Sequence, residues 1–400
     1  MLSAMNNKVV FAAAGNGKTY KICKSAISFS KSNPNKNVLL VTYTNEGTNA
    51  LITEFKKQNC GVLEPNVFIK TWFSFLLSDF IKPYQVELKL KWKYFNQEVE
   101  CSIPENHVHS IDFYSKDLKE RYYNKTHYQY YFHHNKDLWK DDVSDLAIKC
   151  CEDSGNKPIR RLEDIYSQIY FDELQDYSGW DLEVIKSLFH SAIEIICVGD
   201  YKQATFRTNN SAKYKQYRDF AIKNFFLDLQ KKNLCTVEFN NTTRRCCGEI
   251  CSFINSIYTS ESASNILPDC SVADSKPYSG VYVMSRKEYA KLHETIDFTI
   301  LRYDKNVETP DDCVAKYNYG ASKGLTFDNV AIIPVGTVIP FLRNQVEIRS
   351  RQTKAKFYVA CTRAKYMIVF LMDSFAENEL FKKHVLSIND IDINCYKYEG

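Results

Sequence analysis

The sequence predicts an α/β fold of two domains, each built on a parallel sheet covered by helices. Three observations carry this expectation. Apolar, strand-like runs recur at 8–13, 38–42, 67–70, 169–172 and 193–198, with stretches of helical period at 19–30, 47–57 and 180–189 between them. That alternation is what a helix-covered parallel sheet requires. A second alternating set begins near Thr236 and includes runs at 280–284, 299–303, 330–334 and 366–371, which places a seam near 230–236. Finally, the first strand runs directly into a loop of small residues ending in Gly-Lys-Thr, the place where such sheets hold phosphate.

The first strand, Val9-Val10-Phe11, leads into Ala12-Ala13-Ala14-Gly15-Asn16-Gly17-Lys18-Thr19. Backbone N–H groups from Ala14, Gly15, Asn16, Gly17 and Lys18 can wrap the β- and γ-phosphates of a nucleotide, assisted by the N-terminus of the helix that follows. Lys18 supplies positive charge and Thr19 a hydroxyl for magnesium. The later strand Ile169-Tyr170-Phe171 ends in Asp172-Glu173-Leu174-Gln175-Asp176. There Asp172 is expected to hold Mg2+ directly or through water, Glu173 to polarise the attacking water as general base, and Gln175 to sense the γ-phosphate or transmit its presence. The two stretches together imply binding and hydrolysis of a nucleoside triphosphate with magnesium.

Composition narrows the class. A chain of 400 residues suits two or three compact domains. With 44% hydrophobic and 25% charged residues it has an ordinary globular balance, and 13 Gly and 10 Pro leave no long flexible linker. A net charge of +4 means that any nucleic-acid surface must be a local stripe. No apolar stretch approaches the roughly 18 residues of a membrane helix, and the early apolar run reads as a core strand, not as a secretory signal. The 14 cysteines are scattered, which fits buried thiols in a reducing cytoplasm. Cys246, Cys247 and Cys251 are the tightest group, and Cys150-Cys151 is the other doublet. They read as thiols packing along a helix, or as half of a metal set. The doublet His133-His134 has no recognisable metal partners.

Between about 81 and 162 the alternation breaks down. This stretch holds Lys89-Leu90-Lys91-Trp92-Lys93-Tyr94, Arg121-Tyr122-Tyr123 and Tyr128-Gln129-Tyr130-Tyr131-Phe132-His133-His134. It reads as a partly helical insertion in the first domain, and its lysines and aromatics fit a DNA-facing surface, a partner surface or a solvated face.

The order of these motifs resembles the UvrD/Rep branch of the superfamily-one helicases, in particular small members without large accessory domains. Val41-Thr42-Tyr43-Thr44-Asn45 is similar to motif Ia and Lys70-Thr71-Trp72-Phe73-Ser74 to motif Ib. Val198-Gly199-Asp200-Tyr201-Lys202-Gln203 resembles motif III, Thr243-Arg244-Arg245 motif IV, and the run from Gly320 through Lys323-Gly324 to Phe327 motif V. Phe357-Tyr358-Val359-Ala360-Cys361-Thr362-Arg363-Ala364-Lys365 resembles motif VI. The resemblance extends over nearly the whole chain apart from the 81–162 stretch and the extreme C-terminus.

It implies two RecA-like domains, 1–80 with 163–232 and 233–400, and a reduced accessory domain at 81–162. It further implies a catalytic set of Glu173, Gln203, Arg245 and Arg363, with both arginines reaching the γ-phosphate, and Gly324 on the nucleotide side. Tyr43, Thr44, Trp72 and Phe206 become candidates for contact with single-stranded DNA, where ring stacking on bases is worth about 1–3 kcal/mol each. The same rings could equally belong to the core.

Three departures bear on specificity. The phosphate loop lies too near the start of the sequence for the family's upstream adenine-reading glutamine. Arg244 stands where a base-stacking tyrosine is common, and the interval from Arg245 to Lys323 has no room for the large regulatory domain. Motif V is preceded by Asn318-Tyr319-Gly320 where Thr-x-His is common. The expected activity is an ATP- and Mg2+-dependent DNA translocase or helicase acting 3′ to 5′ on single strands or at single-strand/duplex junctions. The alternatives are a nucleotide-gated, DNA-sensing regulatory subunit of a nuclease complex (the resemblance implies an OLD-type nuclease in antiviral defence) and a nucleotide binder without catalysis.

Overall fold

The computed structural model describes residues 6–94, 97–112, 124–133, 137–205, 211–259, 263–269, 275–310 and 315–400. The chain divides into two compact units. The first comprises Met1–Phe11, Lys18–Tyr201 and Phe206–Glu238; the second comprises Ala12–Gly17, Lys202–Thr205 and Phe239–Gly400.

The sheet of the first unit contains β1 (Lys8–Ala12), β2 (Asn37–Thr42), β3 (Val67–Thr71), β4 (Tyr166–Phe171), β5 (Glu194–Gly199) and β6 (Thr236–Asn240), in the order β6-β1-β5-β4-β2-β3. The pairings β1–β5, β4–β5, β2–β4 and β2–β3 are all parallel. A parallel sheet is covered on both faces, so its strands are apolar at successive positions. On β2, Leu39 and Val41 enter one core cluster with Val9, Phe11, Ile169 and Phe171. Their neighbours Val38 and Leu40 enter the opposite one, against Ile22 and Cys23 of α1 (Lys18–Ser32) and Leu51 and Phe55 of α2 (Asn45–Gln58).

The 81–162 stretch contains an antiparallel hairpin, Leu90–Tyr94 against Gln97–Cys101, and a short parallel pair, Ile111–Asp112 with Leu138–Trp139. Helices α3 (Val143–Asp153) and α4 (Lys157–Ile165) lead back to β4. Most of its described aromatic residues are core. Tyr128 and Phe132 stack with centroids 4.5 Å apart, and Tyr128, Tyr131, Phe132 and Leu138 join the cluster that holds Val9 and Phe11. Burial removes these residues from all three surfaces left open for the stretch, whether facing DNA, a partner or solvent. Arg121, Tyr122, Tyr123 and His134 lie outside the described residues.

One buried acid in this stretch has a pH consequence. Burial pushes the Asp145 carboxyl from an ordinary 3.8 up to about 6, against the pull of the Lys125 ammonium at 2.6 Å. Because the folded value lies above the unfolded one, the protonated acid favours the fold. That contribution is complete below about pH 4 and is lost as pH rises through about 6. At about 1.4 kcal/mol per pKa unit, ionised Asp145 costs up to about 3 kcal/mol. Asp145→Asn is therefore expected to raise the melting temperature at pH 7.5 and leave it unchanged at pH 4; a lower melting temperature at pH 7.5 would contradict this.

The second unit carries β7 (Gly280–Met284), β8 (Thr299–Arg302), β9 (Lys316–Asn318), β10 (Phe327–Ile332), β11 (Ala364–Leu371), β12 (Phe381–Ile388) and β13 (Ile391–Tyr398). Their order is β9-β8-β10-β11-β7-β13-β12. The first five strands pair in parallel, as expected, whereas β13 lies antiparallel to β7 and closes a hairpin with β12. The hairpin escapes an apolar-run reading because its strands are covered only in part. On β12, Phe381 and Leu386 are buried while Lys383, Val385 and Ser387 are exposed. Both units thus have the parallel α/β core of a RecA-like domain. Among the described residues no helix is long and apolar enough to cross a membrane.

Candidate nucleotide site

The phosphate loop leaves β1 and enters α1. Gly15 and Gly17 take positive φ of 75° and 80°, a conformation that only glycine adopts freely. Gly15 is also held by a close approach: a Cβ there would stand 2.6 Å from both the Arg245 Cβ and the Thr243 Oγ1. Arg244 N–H donates to the Gly15 carbonyl at 3.0 Å. Asn16, 2% exposed, donates through Nδ2 to Asn240 Oδ1 (2.8 Å) and the Thr242 carbonyl (2.8 Å). Ala14 is buried beside it. The loop is therefore fastened to the 240–245 segment by the Asn16 side chain and by the backbone of Gly15. The sequence reading treated Asn16 only as a backbone donor and missed this; the one available signal was the polar run Asn240-Asn241-Thr242-Thr243 ahead of the two arginines.

In the first unit, Lys18 and Thr19 open α1, and the Thr19 Oγ1 donates to Asp172 Oδ2 at 2.9 Å. Two neighbouring ligands of an octahedral magnesium, each about 2.1 Å from the ion, lie about 3 Å apart. These two oxygens have that spacing, and the hard, oxygen-only donor pair fits Mg2+. Burial, and then the neighbouring Glu173 carboxylate, push the Asp172 acid above the ordinary carboxylate range, while the Glu173 N–H, Thr19 and Lys18 pull it down. A dication there would offset the cost of burying the charge.

Glu173 takes the left-handed conformation, φ 55° and ψ 45°, uncommon for a side chain other than Asn or Asp. Its N–H donates to Asp172 Oδ1 at 2.8 Å. Gln175, 3% exposed, donates through Nε2 to Glu173 Oε2 (2.5 Å) and accepts at Oε1 from Asp200 N–H (2.8 Å). Asp172, Glu173 and Gln175 therefore form one connected group at the ends of β4 and β5.

The remaining predicted residues are placed as follows. Gln203 closes a single-turn helix, Tyr201–Gln203, and is 5% exposed. Gly324 lies in a turn with φ 85°. Arg245 is half-buried and donates from Nη1 to the Thr362 carbonyl at 2.8 Å; burial holds its guanidinium below the usual arginine value. Arg363 is 2% exposed, and its guanidinium donates to the Val359 carbonyl (2.9 Å), the Leu325 carbonyl (3.2 Å) and Thr362 Oγ1 (2.8 Å). As placed, Arg363 ties together the end of α5 (Arg351–Cys361), the turn before β10 and its own neighbour.

The nucleic-acid candidates separate. Trp72 is wholly buried, with its ring 4.9 Å from Tyr177 and Nε1 donating to Asp181 at 3.0 Å. A ring with no exposed face offers nothing for a base to stack on, so the DNA-contact expectation for Trp72 is corrected to core. Thr44 is exposed, but its hydroxyl caps α2 by accepting from Gly47 N–H at 3.0 Å. Tyr43 is half-buried against Phe73, centroids 5.5 Å apart. Phe206 lies outside the described residues. Cys246, Cys247 and Cys251 are buried, with their sulfurs against the carbonyls of Thr362, Tyr366 and Cys246, and no group of three His, Cys, Asp or Glu among the described residues could hold a metal.

Trp72 yields a stability prediction. Trp72→Ala leaves a large void and is expected to cost about 3–5 kcal/mol, whereas Trp72→Phe loses chiefly the bond to Asp181, about 1–3 kcal/mol. Urea unfolding measures both. A Trp72→Ala protein as stable as the wild type would return this ring to the DNA-contact role.

Fold and site define a P-loop protein with RecA-like α/β units. Residues 78–221 match the model of the UvrD/REP helicase N-terminal domain, and in that segment the chain is UvrD-like. The match takes in the whole 81–162 stretch together with Asp172, Glu173, Gln175 and Gln203, so that stretch lies within the family resemblance, not outside it. No curated protein matches the chain. Among solved structures, the complex of the Arterivirus nonstructural protein 10 (helicase) with DNA is similar at 12% identity and a TM-score of 0.43, over 92% of this chain. The chain spans 61% of the length of that structure's chain.

Proposed function

We propose that this chain is an ATP-driven DNA translocase or helicase of the UvrD/Rep type, stimulated by single-stranded DNA and moving 3′ to 5′. The observation that carries the reading is the 2.9 Å contact between Thr19 and Asp172, with Glu173 next in sequence. It brings together, across 153 residues of chain, the two oxygens to which this reading gives the magnesium. The family match supplies the nucleic-acid side of the proposal.

In this reading the backbone N–H groups of 14–18 bind the phosphates and Lys18 neutralises their charge. Thr19 and Asp172 hold the metal, which when bound polarises the γ-phosphate. Glu173 accepts the proton of the attacking water. Arg245 takes the role of stabilising charge on the transferring phosphoryl group, a reading supported by its closeness to Gly15. Arg363 supports it from behind: both guanidinium groups bond to Thr362, Arg245 to its carbonyl and Arg363 to its hydroxyl.

Steady-state hydrolysis of ATP, GTP and dATP, with and without single-stranded DNA, tests the proposal. Turnover is expected to rise at least about tenfold with DNA, a barrier change of about 1.4 kcal/mol. Turnover that stays constant over several DNA lengths and salt concentrations would refute DNA gating.

A further inference from the structure

The loop after β4 contains a bridge that the phosphate-sensing expectation for Gln175 does not describe. Gln175 is 3% exposed and its side chain faces protein on both sides. Its amide nitrogen holds Glu173 Oε2, and its amide oxygen holds the N–H of Asp200, the residue just after β5. The backbone is shaped to allow this. A Cβ at Gly199 would stand 2.7 Å from Gln175 Oε1 and 2.8 Å from Leu174 Cβ, so only a glycine lets the end of β5 come this close. Glu173 itself is in the left-handed conformation, a strained choice that neighbouring contacts must over-determine.

We infer that Gln175 is a positioning residue: it aims the Glu173 carboxylate at the water position and fixes that aim to the end of β5, instead of contacting the γ-phosphate. The inference rests on the hydrolysis reading above. An acceptor–donor bridge of this kind matters because a carboxylate on a freely rotating stem loses the orientation on which general-base catalysis depends. The bridge also ties the aim of the base to the strand that leads into Tyr201–Gln203, so a shift of that segment moves the carboxylate.

Two near-isosteric variants test this. Gln175→Glu keeps the acceptor for Asp200 but sets a carboxylate against Glu173, and Gln175→Met keeps the volume without either bond. Each is expected to lower kcat about tenfold with the KM for ATP within about twofold. The affinity for ATPγS should be unchanged, while trapping of ADP with aluminium fluoride, a mimic of the transferring phosphoryl group, should weaken about tenfold. In a Glu173→Gln background neither substitution should lower kcat further, because the residue acts through Glu173.

A wild-type kcat in both variants overturns the inference, as does an equal loss in the Glu173→Gln background. Weakened ATPγS binding with normal kcat would restore Gln175 to the phosphate-contact role. Circular dichroism and melting temperature identify a variant that has failed to fold; in that event the aluminium fluoride trap on Gly199→Ala, which displaces Gln175 without altering it, decides, and unweakened trapping overturns the inference. If the wild-type chain hydrolyses no triphosphate with any DNA, the hydrolysis reading fails and this inference falls with it. If the wild type turns over and both Gln175 variants turn over as fast, only the inference fails.

Discussion

Arg245→Ala is expected to lower ATP turnover by about 10³-fold or more, close to 4 kcal/mol of barrier, with little change in the KM for ATP. The segment that carries Arg245 is fastened to the phosphate loop by the Asn16 side chain, by the bond from Arg244 N–H to Gly15, and by contact of Arg245 itself with Gly15. Its side chain makes a single bond to a backbone carbonyl among those described, and exchanging that bond for a phosphate oxygen costs little. An interaction made mainly in the transition state lowers kcat and kcat/KM together when removed. Arg363 provides the contrast. Three guanidinium bonds, to Val359, Leu325 and Thr362, hold it within its own unit, and it is almost wholly buried. Arg363→Ala should therefore lower the melting temperature more than Arg245→Ala does, because it removes a buried donor from the Leu325 carbonyl, the Thr362 hydroxyl and the Val359 carbonyl, of which the last still accepts from Thr362 Oγ1. Stopped-flow phosphate release paired with thermal melts separates the two. If Arg363→Ala loses turnover at full stability and Arg245→Ala keeps it, the assignment of the phosphoryl-facing arginine is reversed.

Glu173→Gln is the second large effect: turnover should fall by about 10²–10⁴-fold while nucleotide and magnesium still bind. The substitution preserves shape and removes only the capacity to accept a proton. Gln175 can still donate to the new amide oxygen, and the Glu173 N–H bond to Asp172 Oδ1 is a backbone bond that the change leaves alone. Thr19 and Asp172 remain 2.9 Å apart to take the metal. Fluorescent-nucleotide titration with and without Mg2+ should give wild-type affinity. Unimpaired turnover would show that another group accepts the proton, and lost nucleotide binding would mean that Glu173 holds the loop together.

Why some of this chain could be read directly is a matter of which residues have only one physical use. Runs such as Val38-Leu39-Leu40-Val41 are apolar at every position because both faces of a parallel sheet are covered. The small residues before Lys18 are demanded by positive φ and by the approach of Arg245. The carboxylates after Phe171 follow from a strand that ends at the site. These are local constraints, so one sequence displays them.

Other side chains have two uses, and the sequence is silent between them. An aromatic ring such as Trp72 can stack on a base or fill a core; Asp181 and Tyr177, more than a hundred residues away, decide for the core. The Tyr- and Phe-rich stretch around Tyr128 and Phe132 went inward for the same reason. An arginine in a helicase-like motif can face phosphate or bind its own backbone, and Arg363 has three protein acceptors in reach. Gln175 became a bridge because Gly199 brings the end of β5 against it. The chain alone therefore determined the sheet cores, the glycine loop before Lys18 and the carboxylates after Phe171, each set by strand burial or backbone conformation. Only tertiary structure decided which partners Arg363, Trp72 and Gln175 bind, since those partners are brought together from distant parts of the sequence.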